Sequence, residues 1–334
     1  MKLLITTHHR FELWNAPPWF AERLRAAFPQ LEVTRLAGYD RFAAELPAAD
    51  ILIGWSLKPE QLALAHRLRW IYSPAAAVHA LLSPELAATN IVVTNASAVH
   101  GPVVAEHALA LMLALAKRIP QIVHYQDQRA WAQQSLWDQA PRPRELSGAT
   151  LALIGYGAIG STAAQLALAF GMDVLVVREH PEPATRSSQL APHNSIQQFG
   201  DAQLDAVLAR ADFVLLAAPL TPKTRHMINA ERLARMKPGA YLINVARGPL
   251  IDDAALIAAL RENRIAGAAL DVFEREPLAA DSPYWQLPNV LITPHSAALT
   301  ERLWERHYAL FTENLRRFLA GQPLTGVVDK SAGY

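Results

Sequence analysis

Short apolar runs alternate with stretches of helical spacing along almost the whole chain. In the first hundred residues the runs lie at 3–6, 31–36, 50–55, 68–73 and 91–95. A second series lies at 151–154, 173–177, 212–217, 240–245, 266–272 and 290–293. Strands that alternate with helices form parallel sheets, because each parallel pair needs a crossover connection that is usually a helix. The pattern therefore predicts two α/β domains with parallel sheets.

The region between the two series has a different character. A long apolar helix is predicted from 102 to about 117, and a polar arm that carries Trp131 and Trp137 follows it. The segment 141–144, Pro-Arg-Pro-Arg, is typical of a linker. Exposed aromatic side chains usually need a covering surface, so we expect a second copy of the chain to cover the arm in a homodimer. A final helix is predicted at 300–320.

Length, charge and cysteine content exclude several classes of protein. The 334 residues suit two domains, and 51% of them are apolar, enough for large buried cores. The 31 basic and 30 acidic residues nearly cancel, which argues against binding to nucleic acid or to an anionic membrane. The absence of cysteine excludes disulfides and thiolate metal sites, and no metal site is expected. The longest apolar run, 108–116, is too short to cross a bilayer. With no apparent secretion signal, a cytoplasmic location is expected.

A glycine-rich segment opens the second series. It follows the apolar run 151–154, leads into the helical stretch 161–170, and matches the pattern G-x-G-x-x-G. We expect all six of its residues to hold a dinucleotide: Gly155, Tyr156, Gly157, Ala158, Ile159 and Gly160. In such loops the first glycine permits a tight turn, the second allows close approach of a pyrophosphate, and the third allows close helix packing. The helix N-terminus offers free N–H groups to phosphates. The alternative is a tight turn that binds nothing, but the strand–loop–helix context favours binding.

The residue at the end of the second strand of this series bears on the choice of cofactor. Many such domains place an acid there to bind the ribose hydroxyls, but this chain has Arg178. A guanidinium can bind a 2′-phosphate in two places, which favours NADP over NAD, with NAD still possible. The alternative is an ordinary surface arginine. Glu179 would oppose a phosphate unless strand alternation points it to the other side, and Arg186 would add positive charge if its loop folds back.

Three residues with complementary chemistry follow three later strands. Arg247, Glu276 and His295 come after the runs at 240–245, 266–272 and 290–293. The carboxyl ends of strands in an open α/β sheet surround the ligand site, so these side chains can meet. A guanidinium binds a carboxylate, an imidazole transfers protons near neutral pH, and a carboxylate orients and stabilises an imidazolium. Separately, each could be a salt-bridged strand end, a solvated acid or a capped turn; together they favour catalysis.

Together these features resemble the D-isomer-specific 2-hydroxyacid dehydrogenases over nearly the whole chain. The segments that carry the resemblance are 94–96, 104–109, the glycine loop, 219–225 and the three segments that contain Arg247, Glu276 and His295. The spacings of 29 residues from Arg247 to Glu276 and 19 from there to His295, with the ending 328–334, look most like the glyoxylate/hydroxypyruvate reductase A branch.

The resemblance implies an architecture and an activity. It implies a flavodoxin-like substrate domain from 1–99 and 292–334, an inserted dinucleotide domain of Rossmann type at 100–291, and a homodimer. It implies reduction of a small 2-keto acid, such as glyoxylate or hydroxypyruvate, to the D-2-hydroxy acid. Arg247 would bind the substrate carboxylate, His295 would be the acid and base, and Glu276 would support the histidine.

The resemblance also suggests further contacts with the cofactor and the substrate. The expected cofactor contacts are Pro219, Thr224, Val245, Ala246 and Asp271. The expected substrate contacts are Ala76, Ala77, Val78 and Trp55, although Trp55 could equally be a core residue. The family pattern Ala-Gly-Val-Asp is Ala76-Ala77-Val78-His79 here, and loss of the glycine stiffens the loop.

A protein of another class could share these features. A dinucleotide-sensing binding protein, like the C-terminal-binding-protein corepressors of the same fold, would bind the cofactor without significant turnover. From the sequence we expect no disordered tail and no basic surface for recruiting partners, which argues against this alternative. Among enzymes, formate dehydrogenase is disfavoured because that branch resembles glutamine where this chain has Glu276.

Overall fold

The computed structural model describes residues 1–78, 80–181 and 195–333, which divide into two compact units. One unit is Met1–His100 with Leu299–Tyr334, and the other is Gly101–Ala298. The sequence placed the second boundary at 291/292, so the observed second unit continues seven residues further than expected. The cause is Asp271, whose carboxylate accepts hydrogen bonds from the N–H groups of Ser296 (2.8 Å) and Ala297 (3.0 Å) and so keeps this segment with the second unit.

All the predicted strands are present, most of them trimmed by a residue or two at the ends. The first unit contains β1 (Lys2–Thr6), β2 (Glu32–Arg35), β3 (Ile51–Gly54), β4 (Trp70–Tyr72) and β5 (Val92–Thr94). The second contains β6 (Thr150–Ile154), β7 (Asp173–Val177), β8 (Ile196–Phe199), β9 (Phe213–Leu216), β10 (Tyr241–Asn244), β11 (Gly267–Leu270) and β12 (Val290–Ile292). Most strands are shorter than their apolar runs because those runs extend into the loops at the strand ends.

The helices follow the predicted order, with shifted ends. They are α1 (Pro18–Ala27), α2 (Phe42–Glu45), α3 (Pro59–Leu62), α4 (Pro84–Ala87), α5 (Ser97–Ala116), α6 (Ile119–Asp127), α7 (Gln133–Asp138), α8 (Ala158–Ala169), α9 (Leu204–Leu208), α10 (Ala230–Arg235), α11 (Asp253–Arg261) and α12 (Leu303–Leu319). The polar arm forms α6 and α7. The largest shift is at α5, which begins at Ser97 and contains Pro102, where the sequence predicted the start at the proline.

The sheet of the first unit has the order β2-β1-β3-β4-β5, and every pair is parallel. This is the flavodoxin-like order, as predicted. Helices α1 and α12 cover one face: Phe20 and Phe311 are buried with Ile5 and Ile53 in one core. These strands lack alternation of polar and apolar residues because both faces of the sheet are covered.

In the second unit the described strands form a seven-stranded parallel sheet in the order β12-β11-β10-β9-β6-β7-β8. The chain order reverses between β6 and β9, and such a switch point is where ligands bind in open α/β sheets. Helix α5 covers one face, with Ala105, Ala108 and Met112 buried against Leu151 and Leu153. By length and composition α5 is also apolar enough to cross a membrane, but 56% of its most apolar window is buried inside the protein. A core helix shows both properties.

Strand β8 was not predicted from the sequence. Its residues are Ile196-Gln197-Gln198-Phe199, all of them half-buried, and it lies at the edge of the sheet beside β7. Two glutamines break the apolar run, and an edge strand with one neighbour needs less apolar surface than a central strand. The pairing with β8 extends one residue beyond the end of β7, since Arg178 donates its N–H to the Phe199 carbonyl at 3.0 Å.

A buried histidine in the first unit predicts acid sensitivity. His307 is fully buried on α12, and its Nδ1 lies 2.7 Å from the hydroxyl of Tyr72. Its ring is 5.7 Å from that of His100. Burial, together with the neighbouring His100, holds the pKa of His307 well below its usual value. The folded protein therefore keeps His307 neutral at a pH where the unfolded chain binds a proton.

The free energy of unfolding should accordingly fall as the pH drops below about 6.5, by up to about 1.4 kcal/mol per pH unit for this one proton. His307→Gln keeps an acceptor for Tyr72 but cannot titrate, so the slope in that range should become shallower. Urea unfolding between pH 5 and 8 measures both slopes. His66→Gln, at an exposed position of the same unit, is the matched control and should keep the wild-type slope. Equal slopes for wild type and His307→Gln would show that His307 does not titrate on unfolding.

Candidate functional site

The predicted site residues of the second unit follow the carboxyl ends of its strands. The glycine loop follows β6, Arg178 follows β7, residues 217–224 follow β9, Ala246 and Arg247 follow β10, residues 271–276 follow β11, and residues 293–295 follow β12. All these strands are parallel, so the six segments lie along one edge of one sheet.

The glycine loop has the geometry of a phosphate-binding turn. Gly155 has φ +98°, and a Cβ there would lie 2.7 Å from the backbone of Ala217. A Cβ at Gly160 would lie 2.2 Å from the Gly155 carbonyl oxygen, so α8 could not pack so close to β6 with any larger residue. A Cβ at Gly157 would meet no protein atom within 4 Å. The open space at Gly157, beside the N-terminus of α8, fits a pyrophosphate.

The loop after β9 is fixed by its own threonines. The Thr224 hydroxyl donates to the Pro219 carbonyl at 2.7 Å, and the N–H of Thr221 donates to Thr224 Oγ1 at 2.8 Å. Val245 and Ala246, after β10, are buried. Contacts of these residues with a cofactor remain predictions; the structure shows that they belong to ordered turns along the same sheet edge.

Arg178 lies at the β7 end of this edge. Its guanidinium carbon is 5.9 Å from the centroid of the Tyr156 ring in the glycine loop. Glu179 points to Lys223, whose Nζ lies 3.1 Å from a Glu179 carboxylate oxygen and 2.7 Å from Asp201. The negative charge of Glu179, which would oppose a phosphate at Arg178, is therefore paired with the positive charge of Lys223. Arg186, the second arginine considered from the sequence, lies outside the described residues.

Glu276 and His295 form the central pair of the site. His295 Nδ1 lies 2.6 Å from Glu276 Oε2, and the second carboxylate oxygen accepts the N–H of Phe273 at 3.0 Å. Burial raises the pKa of Glu276, but these two hydrogen bonds and the nearby positive groups outweigh it, so the net shift is downward. Glu276 is thus a carboxylate whose two oxygens both have partners. His295 has φ +51°, an uncommon conformation for a residue with a side chain.

Arg247 is held by the turn that follows β10. Asn244, fully buried, donates to the Arg247 carbonyl at 2.9 Å and accepts the N–H of Ala246 at 3.0 Å. Burial lowers the pKa of Arg247, and the charge of Glu276 acts in the opposite direction. The loops that carry Arg247 and Glu276 touch at Gly248, where a Cβ would lie 1.9 Å from the carbonyl carbon of Phe273. Glu276 in turn contacts His295. No role was predicted for Asn244 from the sequence; the sign of its role is a fully buried polar side chain at the last position of β10.

Asp271 organises the loop that carries His295. Its buried carboxylate accepts the Thr293 hydroxyl at 2.6 Å in addition to the N–H groups of the two residues after His295. The N–H of His295 donates to the Asp271 carbonyl at 2.8 Å, and His107 Nε2 lies 3.2 Å from Thr293 Oγ1. The sequence assigned Asp271 to the cofactor; in the structure its carboxylate holds this loop, which supports the left-handed conformation of His295.

The predicted substrate contacts other than Arg247 belong to the first unit. Trp55 donates its indole N–H to the Thr7 carbonyl at 3.1 Å, and Asn95 donates to the carbonyl of Ala76 at 3.1 Å. Val78 is buried in the core and Ala77 is half-buried. These contacts fix the local backbone. That these residues bind the substrate stays a prediction. His79 lies outside the described residues.

Comparisons of the sequence and of the structure with known proteins point to the same family. Residues 109–297 match the model described as "D-isomer specific 2-hydroxyacid dehydrogenase, NAD binding domain". The chain is 38% identical over 252 residues to a glyoxylate reductase of Thermofilum pendens, covering 74% of this chain and 70% of that protein. A solved NADPH-dependent glyoxylate/hydroxypyruvate reductase from Sinorhizobium meliloti, in complex with NADP and sulfate, has a TM-score of 0.79 at 28% identity over 100% of this chain and 99% of that chain.

Some relatives are longer. A D-3-phosphoglycerate dehydrogenase of Mycobacterium tuberculosis is 34% identical over 309 residues, which is 91% of this chain but 56% of that protein. The chain therefore spans about half the length of this relative. The family model covers more than half of the chain, and its match includes the glycine loop and all three of Arg247, Glu276 and His295. The chain belongs to the D-isomer-specific 2-hydroxyacid dehydrogenase family.

Proposed function

We propose that the protein reduces a small 2-keto acid of the glyoxylate or hydroxypyruvate type to the D-2-hydroxy acid, with NADPH as preferred cofactor and NADH as a possible one. The observation that carries the proposal is the 2.6 Å pair of His295 and Glu276 beside Arg247, on the same sheet edge as the glycine loop. The names of the reductases that resemble the chain support the substrate class.

The residues along the sheet edge fit a dinucleotide. The open space at Gly157 and the N-terminus of α8 suit the pyrophosphate. The loop lies after β6, with Arg178 on the β7 side and Arg247 on the β10 side. Arg178 would hold the adenosine end. When bound, a reduced nicotinamide supplies the hydride for the carbonyl carbon.

The remaining chemistry belongs to side chains of this unit. Arg247 holds the substrate carboxylate through its two-pronged guanidinium and polarises the neighbouring carbonyl. His295, with Nδ1 engaged by Glu276, gives the proton on Nε2 to the carbonyl oxygen as the alkoxide forms. Glu276 stabilises the imidazolium before the transfer and fixes the ring orientation. In the reverse direction His295 takes the proton from the hydroxyl.

A panel assay tests the activity. Steady-state reduction of glyoxylate, hydroxypyruvate and pyruvate, each with NADPH and NADH, should give the highest kcat/KM for glyoxylate or hydroxypyruvate. Oxidation of D-3-phosphoglycerate, included because of the longer relatives, should be slower. Cofactor binding without turnover on any keto acid would contradict the proposal and favour the dinucleotide-sensing alternative, which the comparisons do not favour.

The cofactor preference gives a separate prediction. A guanidinium attracts the 2′-phosphate and offers no acceptor to the ribose hydroxyls of NADH. A charge-assisted contact of about 1.5–3 kcal/mol corresponds to a preference of about ten- to a hundredfold. We therefore expect kcat/KM to be at least about tenfold higher with NADPH than with NADH. Arg178→Asp should narrow or invert this ratio while the order of keto acids stays the same.

The matched control for that substitution is Arg210→Asp, which changes the same charge at an exposed site of the same unit, over the ring of Phe199. It should leave the cofactor ratio within about twofold. A wild-type preference for NADH at low salt, where a phosphate contact is strongest, would show that Arg178 does not select the cofactor.

We further propose a homodimer in which the arm of α6 and α7 lies against the partner. The arm exposes large apolar side chains, with Trp131 94% and Trp137 55% exposed, and Ile122 and Val123 on α6. Apolar groups exposed so close together usually mark an interaction surface. The absence of nucleic-acid and membrane partners and the cytoplasmic location remain predictions from the sequence.

A further inference from the structure

Three loops of the second unit meet in an ion-pair cluster next to Arg178. Lys223, after β9, lies 2.7 Å from the Asp201 carboxylate, after β8, and 3.1 Å from that of Glu179, after β7. Glu179 is the chain neighbour of Arg178. All three side chains of the cluster are about half exposed. The hydrogen bond to Asp201 raises the pKa of Lys223, and the hydrogen bond to Glu179 raises it further by a smaller amount. Lys223 therefore stays protonated at neutral pH.

The charges of this cluster matter for a phosphate held at Arg178. Glu179 is next to Arg178 in the chain, and Asp201 lies two residues after Phe199, whose carbonyl accepts the Arg178 N–H. Two carboxylates in these loops would repel a dianion, and a carboxylate near the end of β7 can also accept hydrogen bonds from the ribose hydroxyls. Both effects favour NADH over NADPH. A lysine paired with both acids cancels half of their combined charge and holds the Glu179 carboxylate on the Lys223 side.

We propose that Lys223 is a specificity-determining residue for the cofactor, which acts by restraining and neutralising Glu179 and Asp201 so that Arg178 can hold the 2′-phosphate of NADPH. The inference rests on the proposed role of Arg178. The NADPH preference then depends on Arg178 and also on an ion-pair cluster from the loops after three strands. Lys223 itself makes no direct contact with the phosphate.

The size of the effect follows from Coulomb's law. The phosphate carries close to two charges, so an uncompensated carboxylate several ångströms from it in water should weaken binding about three- to tenfold. Exposed charges are screened by salt, so the effect should shrink as ionic strength rises.

Binding of adenosine fragments tests the inference without any keto acid. The inhibition or dissociation constants of 2′,5′-ADP and 5′-AMP are measured by competition against a fluorescent nucleotide, for wild type and Lys223→Met. Lys223→Met should weaken 2′,5′-ADP about three- to tenfold at low salt and change 5′-AMP less than about twofold. Lys223→Arg keeps the charge and the pairing, so it should stay close to wild type.

A triple variant distinguishes restraint of the acids from direct contact with the phosphate. Adding Glu179→Gln and Asp201→Asn to Lys223→Met removes both carboxylate charges, so selection of 2′,5′-ADP over 5′-AMP should return to at least the wild-type ratio. Lack of restoration would mean that Lys223 binds the phosphate itself and would overturn the inference. An unchanged ratio in Lys223→Met would also overturn it, by showing an inert surface pair.

The same measurements separate this inference from the proposed function. If Arg178→Asp abolishes selection of 2′,5′-ADP while Lys223→Met does not, the inference fails and the role of Arg178 stands. If neither variant changes the ratio, the role of Arg178 fails as well. Thermal unfolding of each variant shows whether it is folded.

Discussion

His295→Ala should lower kcat for keto-acid reduction by about 10²–10⁴, the usual contribution of a positioned acid or base. The dissociation constant of NADPH should change little, because the glycine loop and Arg178 follow other strands than the loop of His295. Stopped-flow single turnovers and a fluorescence titration measure the two quantities independently. Near-normal turnover in this variant would remove His295 from the mechanism.

Glu276→Gln tests whether Glu276 supports the histidine. Glutamine keeps the size of the side chain but loses the negative charge that stabilises the imidazolium 2.6 Å away. Reduction requires the protonated imidazole, so the falling limb of the pH–rate profile should move to lower pH and kcat should fall. Glu274→Gln is the matched control: Glu274 pairs with Arg225 at 3.2 Å, and its variant should keep the wild-type profile.

Gly248→Ala should be among the most damaging single-methyl additions in the molecule. A Cβ at Gly248 would lie 1.9 Å from the carbonyl carbon of Phe273 and 2.3 Å from the backbone nitrogen of Glu274. These are backbone atoms, so the loop that carries Arg247 and the loop that carries Glu276 must move apart. A displacement of about 1 Å at a reacting group can cost about a hundredfold in rate.

We expect kcat/KM to fall at least about a hundredfold in Gly248→Ala, with a loss of about 1–3 kcal/mol or more in the free energy of unfolding. Steady-state kinetics and urea unfolding measure these losses. Gly38→Ala is the control, because a Cβ there would meet nothing within 4 Å and its φ is not positive. Normal activity in Gly248→Ala would mean that the spacing of the two loops does not matter for catalysis.

The sequence predicted the sheet architecture well because central strands covered on both faces must be apolar throughout. The same rule explains the failure at β8, whose Gln197 and Gln198 are tolerated at a sheet edge. The start of α5 was misplaced because a proline favours the first turn of a helix, whereas Pro102 lies inside this one. The local sequence pattern thus predicts which segments are buried. It does not predict where a sheet edge tolerates polar residues or where a helix tolerates an internal proline.

For the site, the identities of Arg247, Glu276 and His295 could be predicted, because the ends of parallel strands share one edge. Their supporting contacts could not. The carboxylate of Asp271 accepts from residues 22 to 26 positions away, and Lys223 reaches Glu179 across 44 positions. Such pairings depend on side-chain directions and on the register of non-adjacent strands, which no local pattern specifies.

Isotope transfer and product configuration, measured together, test the proposed reaction most directly. Hydroxypyruvate is reduced with NADPH that carries deuterium at the transferable position of nicotinamide C4, and the glycerate is analysed by mass spectrometry and chiral chromatography. We expect D-glycerate with one deuterium at C2, and His295→Ala should make the same product far more slowly. L-glycerate, a racemic product, or glycerate without deuterium would contradict the assignment of this chain as a D-specific 2-keto-acid reductase.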